Sequence, residues 1–377
     1  MSRSDLHVVL CTDGVFPHAV GGMQRHSRLL AEHLAVMPGI KLTVVHPHGA
    51  AIFPPALGIQ EEFVAPIDAS RFYLAQLWSY SGRVASVLDR VRPHMILSQG
   101  FSVWKDIDRF GARLIVHPHG LEMFQGLTLR DRVLGAPFRF VMRWIVRRAK
   151  VCISLGGRLT PILQQCVKGA RTEVVVLPNA VDIPAEMMTY PSGTGPLNLL
   201  FVGRFAHNKG LDLLISVAER LQQEGRANEV RFKLVGNGPL MASILAKGLP
   251  ANVEILGNLD DSALDEAYAW SHALVLPTRF EGMPTVVLEA MARGRAILVS
   301  DVGATAEQVD VSNGYLLPKG DAVALYKAIL AFSAMPTEGR KAMAAASFQR
   351  ARDQFGWPTI ATAFISLFER TMKQLSN

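Results

Sequence analysis

The chain has 377 residues, a net charge of +7 and an apolar content of 49%. This length exceeds one compact core and predicts two domains of roughly 180 residues each. The mean hydropathy of +0.21 excludes a disordered chain and favours large buried sheets. No apolar run approaches the roughly 18 residues that span a bilayer, and Met1–Asp5 does not lead into a signal-peptide core, so we expect a cytoplasmic location.

The positive charge is unevenly distributed along the chain. The first 190 residues carry the whole surplus, whereas the remaining residues are balanced. A basic N-terminal half indicates an anionic partner such as a lipid surface, and we expect no nucleic-acid partner. The cysteines have no metal-ligand spacing, which predicts buried thiols without a disulfide or a metal.

The first half of the chain alternates short apolar strands with amphipathic helices. Strands are predicted at 6–12, 41–46, 95–98, 113–116, 151–154 and 173–177, and helices at 22–37, 72–91 and from 157. The loop at 13–20 brings Gly21 and Gly22 to a helix start, where glycines let the backbone approach a ligand closely. The G-x-G-x-x-G spacing is absent, which argues against an NAD oxidoreductase.

Residues 130–150, RDRVLGAPFRFVMRWIVRRAK, contain seven basic residues and one acid. Arg139, Arg143 and Arg147 recur every four residues and so share one helix face, beside apolar bulk such as Trp144. Two interpretations stay open. The helix contacts an anionic membrane or acceptor surface, or it covers a core and exposes a solvated basic edge.

The composition shifts to Pro, Gly, Ser and Thr at 183–196, which predicts a linker between domains at 1–182 and 197–355. A last amphipathic helix is predicted within 356–377. The second domain is predicted to contain strands at 198–202, 230–235, 253–256, 273–277, 296–299 and 315–317, and helices at 211–223, 262–270, 322–332 and 338–355.

The most informative stretch is 278–301, TRFEGMPTVVLEAMARGRAILVSD, between two buried strands. Pro284 suits the first turn of a helix and Gly294 suits the residue just past its end. Strand, loop, helix and strand form the parallel α/β unit, which binds ligands at the carboxyl ends of its strands. Glu281 is therefore predicted to lie in a ligand-binding loop.

The start of this helix suits a phosphate or a sugar oxygen. The amides of Gly282, Met283 and Thr285 lie at or near its open N-terminal turn. Glu289 reaches the same site if the loop folds back. Carboxylates at 281 and 289 would accept hydrogen bonds from the paired hydroxyls of a ribose or a hexose.

Two cations follow the strand at 198–202. Arg204, next to Gly203, and Lys209 bracket a loop at the carboxyl end of that strand. Arginine offers a planar fork and lysine a point charge, so together they suit a diphosphate. A glycine turn that begins at Gly236 follows the next strand.

These segments resemble the retaining family 4 glycosyltransferases (glycosyltransferase group 1) of the GT-B fold. The matching stretches, in the family's order, are Gly21-Gly22, HPHGLE (117–122), LPNAVD (177–182), FVGRFAHNKGLDLLI (201–215), LVGNGPL (234–240) and FEGMPTVVLEAMARG (280–294). Two positions depart from the family: Gln24 replaces an acid, and Asn179-Ala180 replaces Asn-Gly.

The resemblance implies two doubly wound, Rossmann-like α/β domains facing across a cleft, with a last helix crossing back to the first domain. It implies transfer of a sugar from a UDP- or GDP-linked donor to a hydroxyl of a glycan or lipid-linked acceptor, with retention of configuration and without a metal or other cofactor. Such an enzyme would serve cell-surface polysaccharide, lipopolysaccharide or glycolipid assembly at the inner face of the membrane.

The resemblance also implies roles for single residues. His119 would contact the transferred sugar, Arg204 and Lys209 the diphosphate, Glu281 the sugar and Glu289 the ribose. The donor would also be lined by Gly21, Gly22, Gly203, Gly236, Gly282, Met283, Pro284 and Thr285. Same-face attack and a covalent intermediate both stay open. A sugar-nucleotide epimerase of the same fold and a nucleotide-binding scaffold are the alternatives.

Overall fold

The computed structural model describes residues 6–19, 21–68, 72–191 and 195–376. The chain divides into two compact units, Met1–Asn179 with Trp357–Asn377, and Ala180–Gly356. The predicted linker at 183–196 falls in the second unit, and its residues 192–194 lie outside the described ranges. The N-terminal segment at 1–5 and position 20 of the predicted glycine loop also lie outside them.

The first unit contains one parallel sheet. Its strands are β1 (Leu6–Cys11), β2 (Ile40–His46), β3 (Gln60–Phe63), β4 (Met95–Gln99), β5 (Leu114–His117), β6 (Val151–Ser154) and β7 (Glu173–Val176). The spatial order is β3-β2-β1-β4-β5-β6-β7, so the direction of winding reverses between β1 and β4. Such a switch point is where open α/β sheets bind ligands.

The helices of this unit include α1 (Gly22–Ala35), α2 (Tyr73–Val91), α3 (Leu129–Leu134), α4 (Ala136–Val146) and α5 (Leu159–Val167). The basic stretch at 130–150 is therefore two helices. Thr128 and Asp131 form a capping box at the start of α3, and Gly135 separates α3 from α4.

The second unit repeats the architecture. Its strands are β8 (Leu197–Val202), β9 (Val230–Val235), β10 (Val253–Gly257), β11 (Ala273–Leu276), β12 (Ala296–Ser300) and β13 (Gly314–Leu317). Its helices are α6 (Leu211–Gln223), α7 (Met241–Lys247), α8 (Asp261–Trp270), α9 (Thr285–Ala292), α10 (Thr305–Gln308), α11 (Ala322–Ala334) and α12 (Thr337–Gln354). The parallel order is β10-β9-β8-β11-β12-β13, with the reversal between β8 and β11. Strands β11 and β12 are buried throughout, as expected for a sheet covered on both faces.

The last helix, α13 (Trp357–Ser376), packs against α1 in the first unit. Trp357 stacks on His33 with ring centroids 5.0 Å apart, and Phe364 is completely buried. The two parallel sheets with their helices confirm the predicted α/β class. Among the helices in the described ranges, none combines the length and the apolar character needed to cross a bilayer.

Candidate active site

Two loops of the second unit pack against each other at its switch point. They follow β8 and β11, which are neighbours in the sheet, so both emerge at its carboxyl edge. Gly210 ends the first loop with φ 70°, and a Cβ atom there would lie 1.9 Å from the carbonyl oxygen of Pro277 in the second loop. Only glycine permits both this backbone conformation and this approach.

The packed loops bring Lys209 and Glu281 together. The Lys209 Nζ donates to Glu281 Oε1 at 2.6 Å, and the Thr278 hydroxyl donates to the same oxygen at 3.0 Å. The two charged side chains are only 23% and 9% exposed. A cation and a carboxylate, 72 positions apart in sequence, therefore meet where an α/β sheet binds its ligand.

Arg279 fixes the turn that carries Lys209. Its guanidinium donates to both carboxylate oxygens of Asp212 at 2.7 Å, and its backbone N–H donates to the carbonyl of Asn208 at 2.7 Å. Burial alone would raise the pKa of Asp212, but the hydrogen bonds and charge of Arg279 hold it below its ordinary value. Sequence reasoning did not single out this bidentate pair, although Arg279 stands two residues before Glu281.

Helix α9 begins four residues after Glu281. Pro284 is the N-cap residue, no side chain caps the helix, and no acid occupies its first turn. The loop before it is held from the other side, because the amide of Ala304 donates to the Gly282 carbonyl at 2.8 Å. Backbone N–H groups of such a turn favour an anion. The predicted donor-binding residues in this segment are Gly282, Met283, Pro284 and Thr285.

Gly203 and Gly236 directly follow β8 and β9 and therefore lie at the same edge of the sheet. A Cβ atom on Gly236 would lie 2.0 Å from the Gly203 carbonyl oxygen, so the two glycine turns touch. The Arg204 side chain is exposed, and its backbone carbonyl accepts a hydrogen bond from the amide of Ala206 at 2.8 Å. Glu289 is half-buried on α9, where it accepts a hydrogen bond of 3.4 Å from the Tyr268 hydroxyl of α8.

In the first unit, His119 is held by its neighbours in one orientation. Its backbone is left-handed (φ 61°), an uncommon conformation for a residue with a side chain, and its Nε2 donates to Gln99 Oε1. The ring stacks on His117 with centroids 3.8 Å apart, and His26 meets both rings edge-on at 5.2 Å. The donated Nε2–H leaves Nδ1 as the acceptor of a neutral imidazole.

Burial keeps this histidine cluster uncharged. Burial, followed by the charge of His26, lowers the pKa of His119 well below its ordinary value, and burial lowers the pKa of His26 to about 4. The His119 ring is therefore uncharged at neutral pH and can take part in hydrogen bonds only. Gln99 and His26 could not be identified from the sequence, because the pairing of β4 with β5 places Gln99 near His119 and helix α1 brings His26 to the same ring.

The glycine pair lies at the start of α1. Gly21 is the N-cap residue, no side chain caps the helix, and no acid lies in its first turn. A Cβ atom on Gly22 would meet nothing within 4 Å. Gln24, which replaces the family's acid, donates to Asp13 Oδ1 at 3.4 Å, so a carboxylate still lies beside this helix start.

The predicted arginine face of α4 is largely tied to the protein itself. Arg139 donates to the carbonyls of Met123 and Arg132 at 2.9 and 2.7 Å. Arg147 donates to the carbonyl of Lys168 at 2.7 Å, and the ring of Trp144 is covered by Arg148 at 4.1 Å. Arg143 remains exposed.

The exposed apolar surface lies instead on α3 and the outer side of α4. Leu129, Val133 and Phe140 are 79%, 71% and 73% exposed, and Arg130 and Arg132 are exposed beside them. Helix α3 has no buried residue. Exposed apolar side chains with cations between them are typical of contact with an anionic interface.

Comparison with solved structures identifies the fold. The chain superposes on sucrose-phosphate synthase from Thermosynechococcus elongatus with a TM-score of 0.81 and 19% identity, covering 98% of this chain and 99% of that one. It matches WaaG, a glycosyltransferase involved in lipopolysaccharide biosynthesis, with a TM-score of 0.68 and 19% identity over 94% and 98% of the two chains. Both are proteins of the GT-B fold, which the two sheets described above reproduce.

Sequence comparison identifies the family. The family model for glycosyl transferases group 1 matches residues 196–334, and that for Glycosyltransferase Family 4 matches residues 20–184. The 2-deoxystreptamine glucosyltransferase of Streptomyces kanamyceticus is 28% identical over 52% of this chain and 54% of its own length. The glycogen synthase of Mycobacterium tuberculosis is 25% identical over 60% and 56%. The chain spans about half the length of these curated relatives. It belongs to the group 1 glycosyltransferases, as the sequence motifs predicted.

Proposed function

We propose that this protein transfers a glycosyl group from a nucleoside diphosphate sugar to an acceptor hydroxyl. The observation that carries the proposal is the contact between Lys209 and Glu281 at the switch point, with Glu281 in the loop that leads into the uncapped N-terminus of α9. A cation and helix amides suit a diphosphate, and a carboxylate suits sugar hydroxyls. The curated relatives named above are a glucosyltransferase and a glycogen synthase, so they do not favour the epimerase alternative.

The chemistry follows from these assignments. The bond between the anomeric carbon and the donor phosphate breaks, a bond to the acceptor oxygen forms, and the acceptor proton passes to the departing diphosphate. Lys209 and Arg204 would stabilise the charge that develops on the diphosphate. Glu281 would accept a hydrogen bond from a sugar hydroxyl.

We further propose retention of configuration by same-face attack. One oxygen of Glu281 already accepts two hydrogen bonds, from Lys209 and Thr278, which supports a binding role over a nucleophilic one. NMR of the product would report the anomeric configuration. A glycosylated peptide containing Glu281, recovered by mass spectrometry after rapid quench, would refute same-face attack.

The donor is proposed to be a UDP-linked hexose, with GDP-sugars as the second choice. HepE from Anabaena, a structural neighbour with a TM-score of 0.70 and 17% identity over 97% and 99% of the two chains, was solved in complex with UDP. Thermal unfolding with UDP, GDP and their sugars would identify the base, because a bound ligand raises apparent stability.

Metal independence stays a prediction: among the described residues no cluster of three His, Cys, Asp or Glu could hold a metal ion. Turnover that EDTA leaves unchanged would support it.

Activity is tested with purified protein, a panel of nucleotide sugars, and glycan or lipid-linked acceptors. The proposal expects free nucleoside diphosphate to appear only when an acceptor is present, and Glu281→Ala to abolish that release. Sugar interconversion without an acceptor would indicate an epimerase. Donor binding without any turnover across the panel would indicate a scaffold.

The acceptor is proposed to be lipid-linked or part of a lipopolysaccharide, at an anionic membrane on the cytoplasmic side. The exposed Leu129, Val133 and Phe140, with Arg130 and Arg132, support this. Co-sedimentation should be strong with phosphatidylglycerol vesicles and weak with phosphatidylcholine vesicles. The Leu129→Ser/Val133→Ser variant should lose most of it, and the control Val311→Ser, a 91% exposed position in the second unit, should not.

A further inference from the structure

A second cluster of charged groups lies at the opposite edge of the second unit's sheet, where β11 and β12 begin. Arg295 immediately precedes β12 and is completely buried. Its Nη2 donates to the carbonyl of Thr189 at 2.9 Å, but its Nε and Nη1 have no hydrogen-bond partner. Burial lowers the pKa of Arg295 to about 10, so the guanidinium remains charged at neutral pH.

The groups around Arg295 are also hydrogen-bond donors. Its Cζ lies 5.8 Å from the ring centroid of Tyr190, which is 5.5 Å from the ring of His272. The buried Tyr190 hydroxyl and the Nε of Arg340 have no partner either. His272 Nδ1 accepts from the amide of Asn198 at 2.9 Å, so the neutral ring carries its proton on Nε2.

The acceptors next to these cations are uncharged: Arg295 donates to the Thr189 carbonyl, and Arg340 Nη2 donates to the Thr337 hydroxyl at 3.3 Å. Within the described ranges, no carboxylate lies within ion-pair distance of Arg295 or Arg340. The charges of the two arginines reach both Tyr190 and His272, and after burial they are the main influences on the pKa of each ring. A buried guanidinium without a counter-ion is costly, and a cluster rich in unpaired donors is satisfied by a ligand made only of acceptors.

We propose that Arg295, Arg340, Tyr190 and His272 bind a small tetrahedral oxyanion of the inorganic phosphate class. The planar guanidinium matches two oxygens of such an ion, which a spherical halide does not offer. Arg295, Tyr190 and His272 are 0%, 7% and 8% exposed, which favours a free ion over a bulky phosphate ester. The ion would tie the segment at Thr189 and Tyr190 to the edge of the sheet.

The site is independent of the proposed transferase reaction, so its test uses binding rather than turnover. Thermal unfolding is measured in a Lys209→Ala background, which weakens the anion response of the candidate active site. Sodium phosphate at 10 mM, against sodium chloride of equal ionic strength, should raise Tm by about 3 °C. Glycerol 3-phosphate should give less than half of that shift, and an equal or larger shift would overturn the assignment to a free ion.

Variants locate the response. Arg295→Met in the same background should lose the phosphate shift, and without phosphate its Tm should equal or exceed that of the parent because an unpaired buried charge has been removed. Tyr190→Phe keeps the shape of the cluster, removes one donor and should roughly halve the shift. A phosphate shift that survives both substitutions, or no shift in the parent, would overturn the proposal.

Discussion

Replacement of Lys209 by alanine separates a catalytic role from a structural one. The substitution removes the cation that contacts Glu281 at 2.6 Å. Loss of one preorganised group that stabilises developing charge costs about 3 kcal/mol, or about 10² to 10³ in kcat. It also removes the ion pair of the Glu281 carboxylate. Breaking a buried pair costs about 3–5 kcal/mol, but the Thr278 hydroxyl remains and Lys209 is 23% exposed, so we expect a stability loss of about 1–2 kcal/mol.

The double variant Lys209→Ala/Glu281→Gln distinguishes the two effects. Removing the carboxylate charge that has lost its lysine should restore most of the free energy of unfolding, measured by urea denaturation, but none of the turnover. Steady-state release of nucleoside diphosphate gives kcat and kcat/KM. Lys247→Ala, an exposed lysine on α7, serves as the matched control and should change neither quantity.

Two results would refute this reasoning. A kcat for Lys209→Ala within threefold of the wild-type value would show that the lysine does not stabilise charge in the reaction. Recovery of turnover in the double variant would show that Lys209 serves only to hold Glu281.

Three further predictions concern the same scaffold. Gly210→Ala should lower the free energy of unfolding, measured by urea denaturation, by several kcal/mol more than Gly225→Ala. Both residues have left-handed φ (70° and 74°), but only Gly210 faces a backbone oxygen. Equal losses of unfolding free energy in the two variants would contradict the packing argument. Because the pKa of the buried His26 is lowered in the folded protein, the unfolded chain binds more protons than the folded one below about pH 6.5. The free energy of unfolding should therefore fall as the pH drops from about 6.5 toward 4. The loss from this residue alone should be about 1.4 kcal/mol at pH 5.5. His26→Gln should flatten that pH dependence, and an unchanged slope would assign it to other groups. Asp212→Asn should lower kcat/KM about tenfold by loosening the turn held by Arg279, whereas Asp261→Asn, also a helix-start acid of this unit, should leave it unchanged.

Local patterns predicted the buried strands well because a strand covered on both faces is a continuous apolar run. Strand β3 (QEEF) was missed, since a polar edge strand shows no such run and pairs on one side only. The basic stretch at 130–150 was predicted as one helix because its periodicity continues across Gly135. In the structure, α3 starts at the capping box of Thr128 and α4 starts after Gly135.

The site was predictable where the chemistry is local. Glu281 stands in a loop between strand and helix, and Lys209 follows a strand, so each could be placed at the carboxyl edge of a sheet. Their contact could not be predicted from spacing, because it depends on β8 and β11 being neighbours and on the close approach at Gly210. The partnership of His119 with Gln99 depends in the same way on strand order.

The docking of α13 on α1 makes the first unit discontinuous along the chain. Trp357 and Phe364, both buried in that unit, are synthesised only after the whole of Ala180–Gly356. At a translation rate of about 5–20 residues per second, about 10–35 s pass between the synthesis of the N-terminal sheet and the synthesis of its final helix. During that interval the surface of α1 that later receives Trp357 is open to chaperones, while the second unit can complete its own core first.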